Sequence, residues 1–168
     1  MRLFIAVLIP FIVVLPTRGA AQAHGAHAMT HEDSAYRAMQ TRGGLVMGVD
    51  QYTSVHRFDP MPDGGRIELQ RDRDDSAGTA AIRSHMRAIA RDFAEGNFSA
   101  TAAVHHETVP GVPVMRARRG LIRYETSDLP RGAVLRIRTS DPEAVAAVHQ
   151  FLAYQRREHR AEAAGHAH

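Results

Sequence analysis

Twice along this chain the same signals follow one another in the same order, and that order restricts the available folds more than any other feature. In the first stretch, residues 51–58 are rich in β-branched and aromatic side chains and read as a strand. A turn follows at Pro60-Met61-Pro62-Asp63-Gly64-Gly65, and residues 66–70 then alternate strictly between polar and apolar. After a polar interval, residues 78–93 carry Ile82, Met86, Ile89 and Phe93 at helical spacing, with Gly96 as the stop. In the second stretch, residues 121–126 read as a strand, 129–132 as a turn and 134–138 as an alternating strand that places Leu135 and Ile137 on one face. Asp141 is a good N-cap, Pro142 suits the first helical position and Glu143 adds a favourable first-turn charge, so a helix is expected over 142–159 with Val145, Val148 and Leu152 as its stripe.

A single strand–strand–helix unit cannot bury both sides of its apolar surface, whereas two side by side can. The expected fold is therefore α+β: a duplicated ββα unit forming a four-stranded antiparallel sheet with two helices on one face. Between the copies, residues 97–120 read as irregular, with a loop at Pro110-Gly111-Val112-Pro113 and a short edge segment at Val114-Met115.

Ahead of this domain lies a secretory signal layout. Met1-Arg2 is a basic start, residues 3–16 are an almost unbroken apolar run, and Ala21-Gln22-Ala23 is a small-x-small cleavage site. The run of 14 residues is too short for a bilayer, which takes about 20, and no cysteine follows it to take a lipid anchor. The expected organisation is a signal peptide over 1–23, a flexible His-rich segment over 24–44 holding a short helix at 33–40 that ends at Gly43-Gly44, the duplicated domain over 45–160 and a flexible tail over 161–168. A periplasmic or secreted location follows, with no membrane span in the mature chain.

Composition closes off several chemistries. The 168 residues include no cysteine, which excludes disulfides, thiolate metal sites, cysteine nucleophiles and covalent haem. They also include no lysine, so a Schiff base is impossible. The formal charge of +3 falls to about +1 once Arg2 and Arg18 leave with the signal, and the arginines alternate with acids, which argues against nucleic-acid binding. Ser54, Ser76 and Ser84 sit in no nucleophile elbow. Gly64-Gly65 is a hairpin turn with no helix behind it to cradle phosphate.

Several runs taken together resemble a family of small exported bacterial proteins of unknown function. They are Met47-Gly48-Val49-Asp50-Gln51 through His56-Arg57-Phe58, Pro62-Asp63-Gly64-Gly65, Ile82-Arg83-Ser84-His85-Met86, Val109-Pro110-Gly111-Val112-Pro113-Val114-Met115, and Ala147-Val148-His149-Gln150-Phe151-Leu152 continuing to Gln155 and His159. The resemblance covers roughly residues 45–160 and implies a small exported domain without an established activity. Members sometimes carry the label aspartate carbamoyltransferase. That enzyme is much longer and uses a Ser-Thr-Arg-Thr-Arg phosphate-binding run and an essential lysine, neither of which is present here.

The eleven histidines all lie beyond residue 23. In an oxidising, copper-exposed compartment they and the methionines are the available soft or borderline ligands. One group occupies the ends: His24, His27, His31, His166 and His168, with Met29 nearby. Cleavage after Ala23 would let the amine and imidazole of His24 chelate copper as a histidine brace, completed by a third histidine. Cleavage after Ala21 would leave Gln22-Ala23-His24, an amino-terminal Cu(II)/Ni(II) motif. Simple solvation of these tails is the competing reading. The second group is His56, His85, His105, His106, His149 and His159. A His56/His85 pair with His105 or His106 would make a three-imidazole site, although no compact ligand spacing such as His-Glu-x-x-His supports it. His149 and His159, about 15 Å apart along one helix, cannot share an ion. Here the competing reading is a set of hydrogen-bonded or surface histidines.

The expected function is non-catalytic metal binding or handling, with copper or zinc as the ion and His24, His27, His31, His56, His85, His105 and His106 as candidate ligands. The alternative is an envelope structural or partner-binding module that offers an apolar patch on the open sheet face. A small enzyme ranks last, because no nucleophile–base pair is visible.

Overall fold

The computed structural model describes residues 31–161. The expected signal peptide, His24, His27, His166 and His168 lie outside the described residues. The fold is α+β. Strands β1 (Ser54–Met61), β2 (Gly64–Arg71), β3 (Arg123–Leu129) and β4 (Gly132–Arg138) form one antiparallel sheet in the order β1-β2-β4-β3. Five helices accompany it: α1 (His31–Met47), α2 (Ser76–Ala94), α3 (Ser99–His105), α4 (Val112–Ala117) and α5 (Pro142–Glu158). None of them is long and apolar enough to cross a membrane.

Strand pairing sorts the side chains by face. Phe58, Ile67, Leu135 and Thr126 stand in register across the sheet, and so do His56, Leu69, Ala133 and Asp128. Because alternate residues of a strand share a face, His56 lies on the same side as Phe58, which is the side that packs against helices. Leu135 and Ile137 are fully buried there, as are Ile82 of α2 and Val148 and Leu152 of α5. Helices α2 and α5 both cover this face, but each lies mainly over the other's hairpin: α2 packs on β3 and β4, and α5 on β1 and β2. Arginine and histidine side chains fasten these crossings. Arg83 of α2 donates to the Gly132 and Leu129 carbonyls at the β3–β4 turn, 3.1 and 2.6 Å away. His149 of α5 lies 3.0 Å from the Met61 carbonyl at the end of β1.

The opposite sheet face is polar. Arg66 pairs with Asp59 at 2.7 Å and Glu68 at 3.8 Å, Arg138 with Glu125 at 3.7 Å, and Arg136 with Asp63. Ion pairs thus occupy much of the face on which an apolar contact surface is expected, and Val55 is exposed on the same face.

The structure departs from the sequence reading in the connecting segments. Val114-Met115 belongs to α4 rather than to an edge strand, and residues 99–105 form α3. Met115 is fully buried, and α4 packs on α5, so the loop expected at residues 110–113 enters a helix at Val112. The helix expected over 33–40 instead runs from His31 to Met47, straight through Gly43-Gly44 and through the expected domain boundary at residue 45. A side-chain contact accounts for the helical Gly43: a Cβ there would press on the Gln51 side chain at 3.1–3.3 Å. The terminating glycine is Gly48, with φ +73° and its N–H bonded to the Gly44 carbonyl at 2.9 Å, as expected of a left-handed cap.

Candidate functional site

Helices α1 and α3 and the core-facing sides of β1, β2, α2 and α5 line a partly open cavity of about 90 Å³ that brings four histidines together. Each imidazole arrives from a different element. His56 comes from β1, one pleat from Phe58. His85 sits on the stripe of α2, between Ile82 and Met86 in the helical repeat. His105 ends α3. His159 caps α5, where Phe151, Gln155 and His159 follow one another at intervals of four residues and so occupy one helix face. The remaining lining is largely apolar and includes Phe58, Met86, Phe93, Phe151 and Met47.

An aromatic cluster fixes the floor of the cavity. Phe93 stacks on Phe98 with ring centroids 4.3 Å apart and meets Phe151 edge-on at 5.9 Å. This cluster ties α3 to α2 and α5. Helix α1 is tied in turn to α3 by Arg42, whose Nε donates to the Val104 carbonyl at 2.7 Å. That bond satisfies a backbone acceptor that the end of a short helix would otherwise leave open.

The histidines touch one another. The rings of His56 and His159 are stacked with centroids 5.1 Å apart, and His105 meets His159 edge-on at 5.4 Å. Phe58 completes the group at 5.5 Å from His159. His105 has a polar partner in Gln155, with Nε2 and Oε1 3.1 Å apart. Two ring nitrogens have none: His56 Nε2 and His159 Nδ1 are sealed from solvent without a hydrogen bond. A buried, unsatisfied polar atom costs about 1–3 kcal/mol, and two more such atoms, Gln51 Oε1 and Gln155 Nε2, belong to residues lining the same cavity.

Electrostatics set the protonation state. Burial lowers the pKa of His56 to about 4, with the neighbouring His85 adding to the effect. Burial likewise pulls His159 well below its ordinary value, assisted by His56 and His105. His85 and His105 are lowered mainly by burial, partly offset at His85 by Asp92 and at His105 by the Gln155 hydrogen bond and by Glu158 and Glu107. At neutral pH the cluster therefore holds uncharged imidazoles with free lone pairs, the form in which histidine binds metal.

Three of the candidate ligands, His56, His85 and His105, thus share one cavity. His106, next in the chain, points elsewhere: it is exposed and adopts a left-handed conformation, φ 58°, at the end of α3. His31 is exposed at the start of α1. Sequence reasoning left out His159, which makes the most ring contacts in the cluster. Its signal was present in the Phe151-Gln155-His159 interval, which places two polar side chains on the core face of α5. Among the described residues, no group of three His, Cys, Asp or Glu side chains is close enough together to hold an ion as it stands.

No family model matches the chain, nor does any curated protein or solved structure.

Proposed function

We propose that this is an exported, non-catalytic metal-binding protein that holds a copper or zinc ion in the histidine cavity. The observation that carries the reading is the pair of sealed, unpartnered nitrogens, His56 Nε2 and His159 Nδ1, on rings 5.1 Å apart. Volume favours an ion over an organic ligand. The cavity of about 90 Å³ falls well below the roughly 300 Å³ at which small-molecule pockets begin. The two hairpin–helix units are read as a duplication of one ancestral unit. Support comes from the antiparallel pairing of β2 with β4 at the centre of the sheet and from the reciprocal crossing of α2 and α5. The signal layout of residues 1–23 supports export, in keeping with the runs that resemble the small exported family.

Elemental analysis of the purified chain, with and without added copper or zinc, tests the reading. One equivalent of ion is expected. It should be lost in His56→Leu and kept when residues 24–30 are deleted. A chain that binds no ion overturns the proposal. Binding that disappears with the deletion and survives His56→Leu also overturns it, by moving the ion to the amino-terminal histidines.

A further inference from the structure

The cavity's lining narrows the choice of ion. Resting on the metal-binding reading above, we propose that the site selects a soft monovalent ion, Cu(I), over Zn(II) and Cu(II), with His56 and His159 as the primary ligands and a methionine thioether beside them.

The first argument is charge. No aspartate or glutamate is among the residues that line the cavity, and its polar members are histidines, Gln51, Gln155 and Thr101. Histidine and methionine donors are neutral when they ligate, so an ion entering here keeps its full charge in surroundings that are otherwise apolar. The cost of moving a charge out of water is large and grows with the square of that charge. A divalent ion therefore pays about four times what a monovalent ion pays, and the acids that act on the cluster, Asp92, Glu107 and Glu158, lie outside the lining.

The second argument is the number of donors. Structural zinc sites use four protein ligands and catalytic sites three, and no three His, Cys, Asp or Glu side chains converge among the described residues. Cu(I) is satisfied by two or three donors. At a metal–nitrogen distance of about 2.0 Å, two imidazoles sharing an ion stand with centroids roughly 5–6 Å apart. The His56–His159 separation of 5.1 Å already lies in that range. The lone pairs of stacked rings do not converge, so both rings must turn edge-on toward the ion and give up their stacking, while neither bare nitrogen gives up a hydrogen bond.

The third argument is softness. Met86, with 1% of its surface exposed, and Met47 both line the cavity. Thioethers favour Cu(I) over harder or divalent ions. Met86 lies one residue beyond His85 on α2, so the helix that brings an imidazole to the cavity also brings a sulfur.

The test is an anaerobic competition titration of the purified chain with Cu(I) against a chromophoric chelator, beside a Zn(II) titration under the same conditions. Ag(I) serves as a redox-silent stand-in. The expected result is one equivalent of Cu(I), bound at least about a hundredfold more tightly than Zn(II). His159→Phe, which keeps an aromatic ring in the stack, should abolish Cu(I) binding. Met86→Leu should weaken Cu(I) about tenfold and leave any Zn(II) affinity unchanged, a split that a merely structural methionine would not produce. Unfolding midpoints of both variants establish that they are folded. Zn(II) binding as tight as Cu(I), or Cu(I) affinity unmoved in Met86→Leu and His159→Phe, overturns the selectivity while leaving metal binding in place. Failure to bind any of the three ions overturns both.

Discussion

His159 shows how a single residue can be kept against the interests of stability. Its ring is packed between His56 and Phe58 on one side and His105 on the other, yet Nδ1 is buried without a partner. A phenylalanine would fill nearly the same space and remove the unsatisfied atom. Replacing an unpaired polar group by an apolar one of similar shape is neutral or favourable. His159→Phe is therefore expected to raise the stability of the ion-free protein by about 1 kcal/mol, read as a higher urea midpoint with an unchanged denaturant slope. A loss of more than that amount would show instead that the imidazole makes a contact essential to the fold. Most single substitutions in a core destabilise, so a gain here would mark a position shaped by something other than folding. Arg71 is a useful contrast. It too is buried, but its guanidinium reaches Asp75 at 3.0 Å, the Asp50 carbonyl at 3.1 Å and the Ser54 hydroxyl at 2.9 Å, so its burial is accounted for.

At the scale of elements, the strands and helices α2 and α5 were legible because each carries a periodic signal strong enough to survive without context. The β4 alternation and the α2 stripe needed nothing beyond the chain itself, and Asp141 caps α5 through the Ala144 N–H at 2.8 Å as the sequence suggests. The connecting helices were not legible, for a physical reason. Helices α3 and α4 span seven and six residues, too short for a period to emerge and too short to be stable alone. They exist because Val104, Val112 and Met115 find partners in the core. One of the four clustered histidines depended on them. His56 and His85 could be placed on core-facing positions from spacing, while His105 reached the cavity only through α3. Gly111, which opens α4 at φ 84°, tests this dependence on tertiary contact. A Cβ at that position would strike the Ala147 carbonyl of α5. Gly111→Ala combines left-handed strain with overpacking, and a loss of about 3 kcal/mol is expected by denaturant unfolding. A loss below about 1 kcal/mol would show that α4 can draw back from α5 without disturbing the core.

Considered as a whole molecule, the chain closes its core over four histidines, so its stability should fall with acid at unusually mild pH. The sign follows from the direction of the shifts. His56 titrates at about 4 when folded against an ordinary 6.5, and His85, His105 and His159 are lowered as well. Between those values the unfolded chain binds protons that the folded chain refuses, so acid favours unfolding. The contribution to stability is fully present above pH 6.5 and is lost as pH falls toward 4, where His56 accepts its proton in the fold. For His56 alone the drop from 6.5 to about 4 corresponds to about 3 kcal/mol, and the other three act in the same direction. Charged groups near the cluster set the details. Asp92 on α2, Glu107 beyond α3 and Glu158 on α5 favour the protonated rings, whereas Arg42 on α1 opposes protonation of His105. The acids moderate the slope without reversing it, because burial is the first cause at every member of the cluster. Urea unfolding of the ion-free chain from pH 7.5 down to 4.5 is the measurement, with His159→Phe in parallel. The wild type is expected to lose several kcal/mol across this range and the variant distinctly less, since it lacks one of the four depressed sites. Equal slopes in the two proteins would mean that the imidazoles reach solvent and take up protons without opening the fold, and the cavity would then be a wet pocket rather than a dry one.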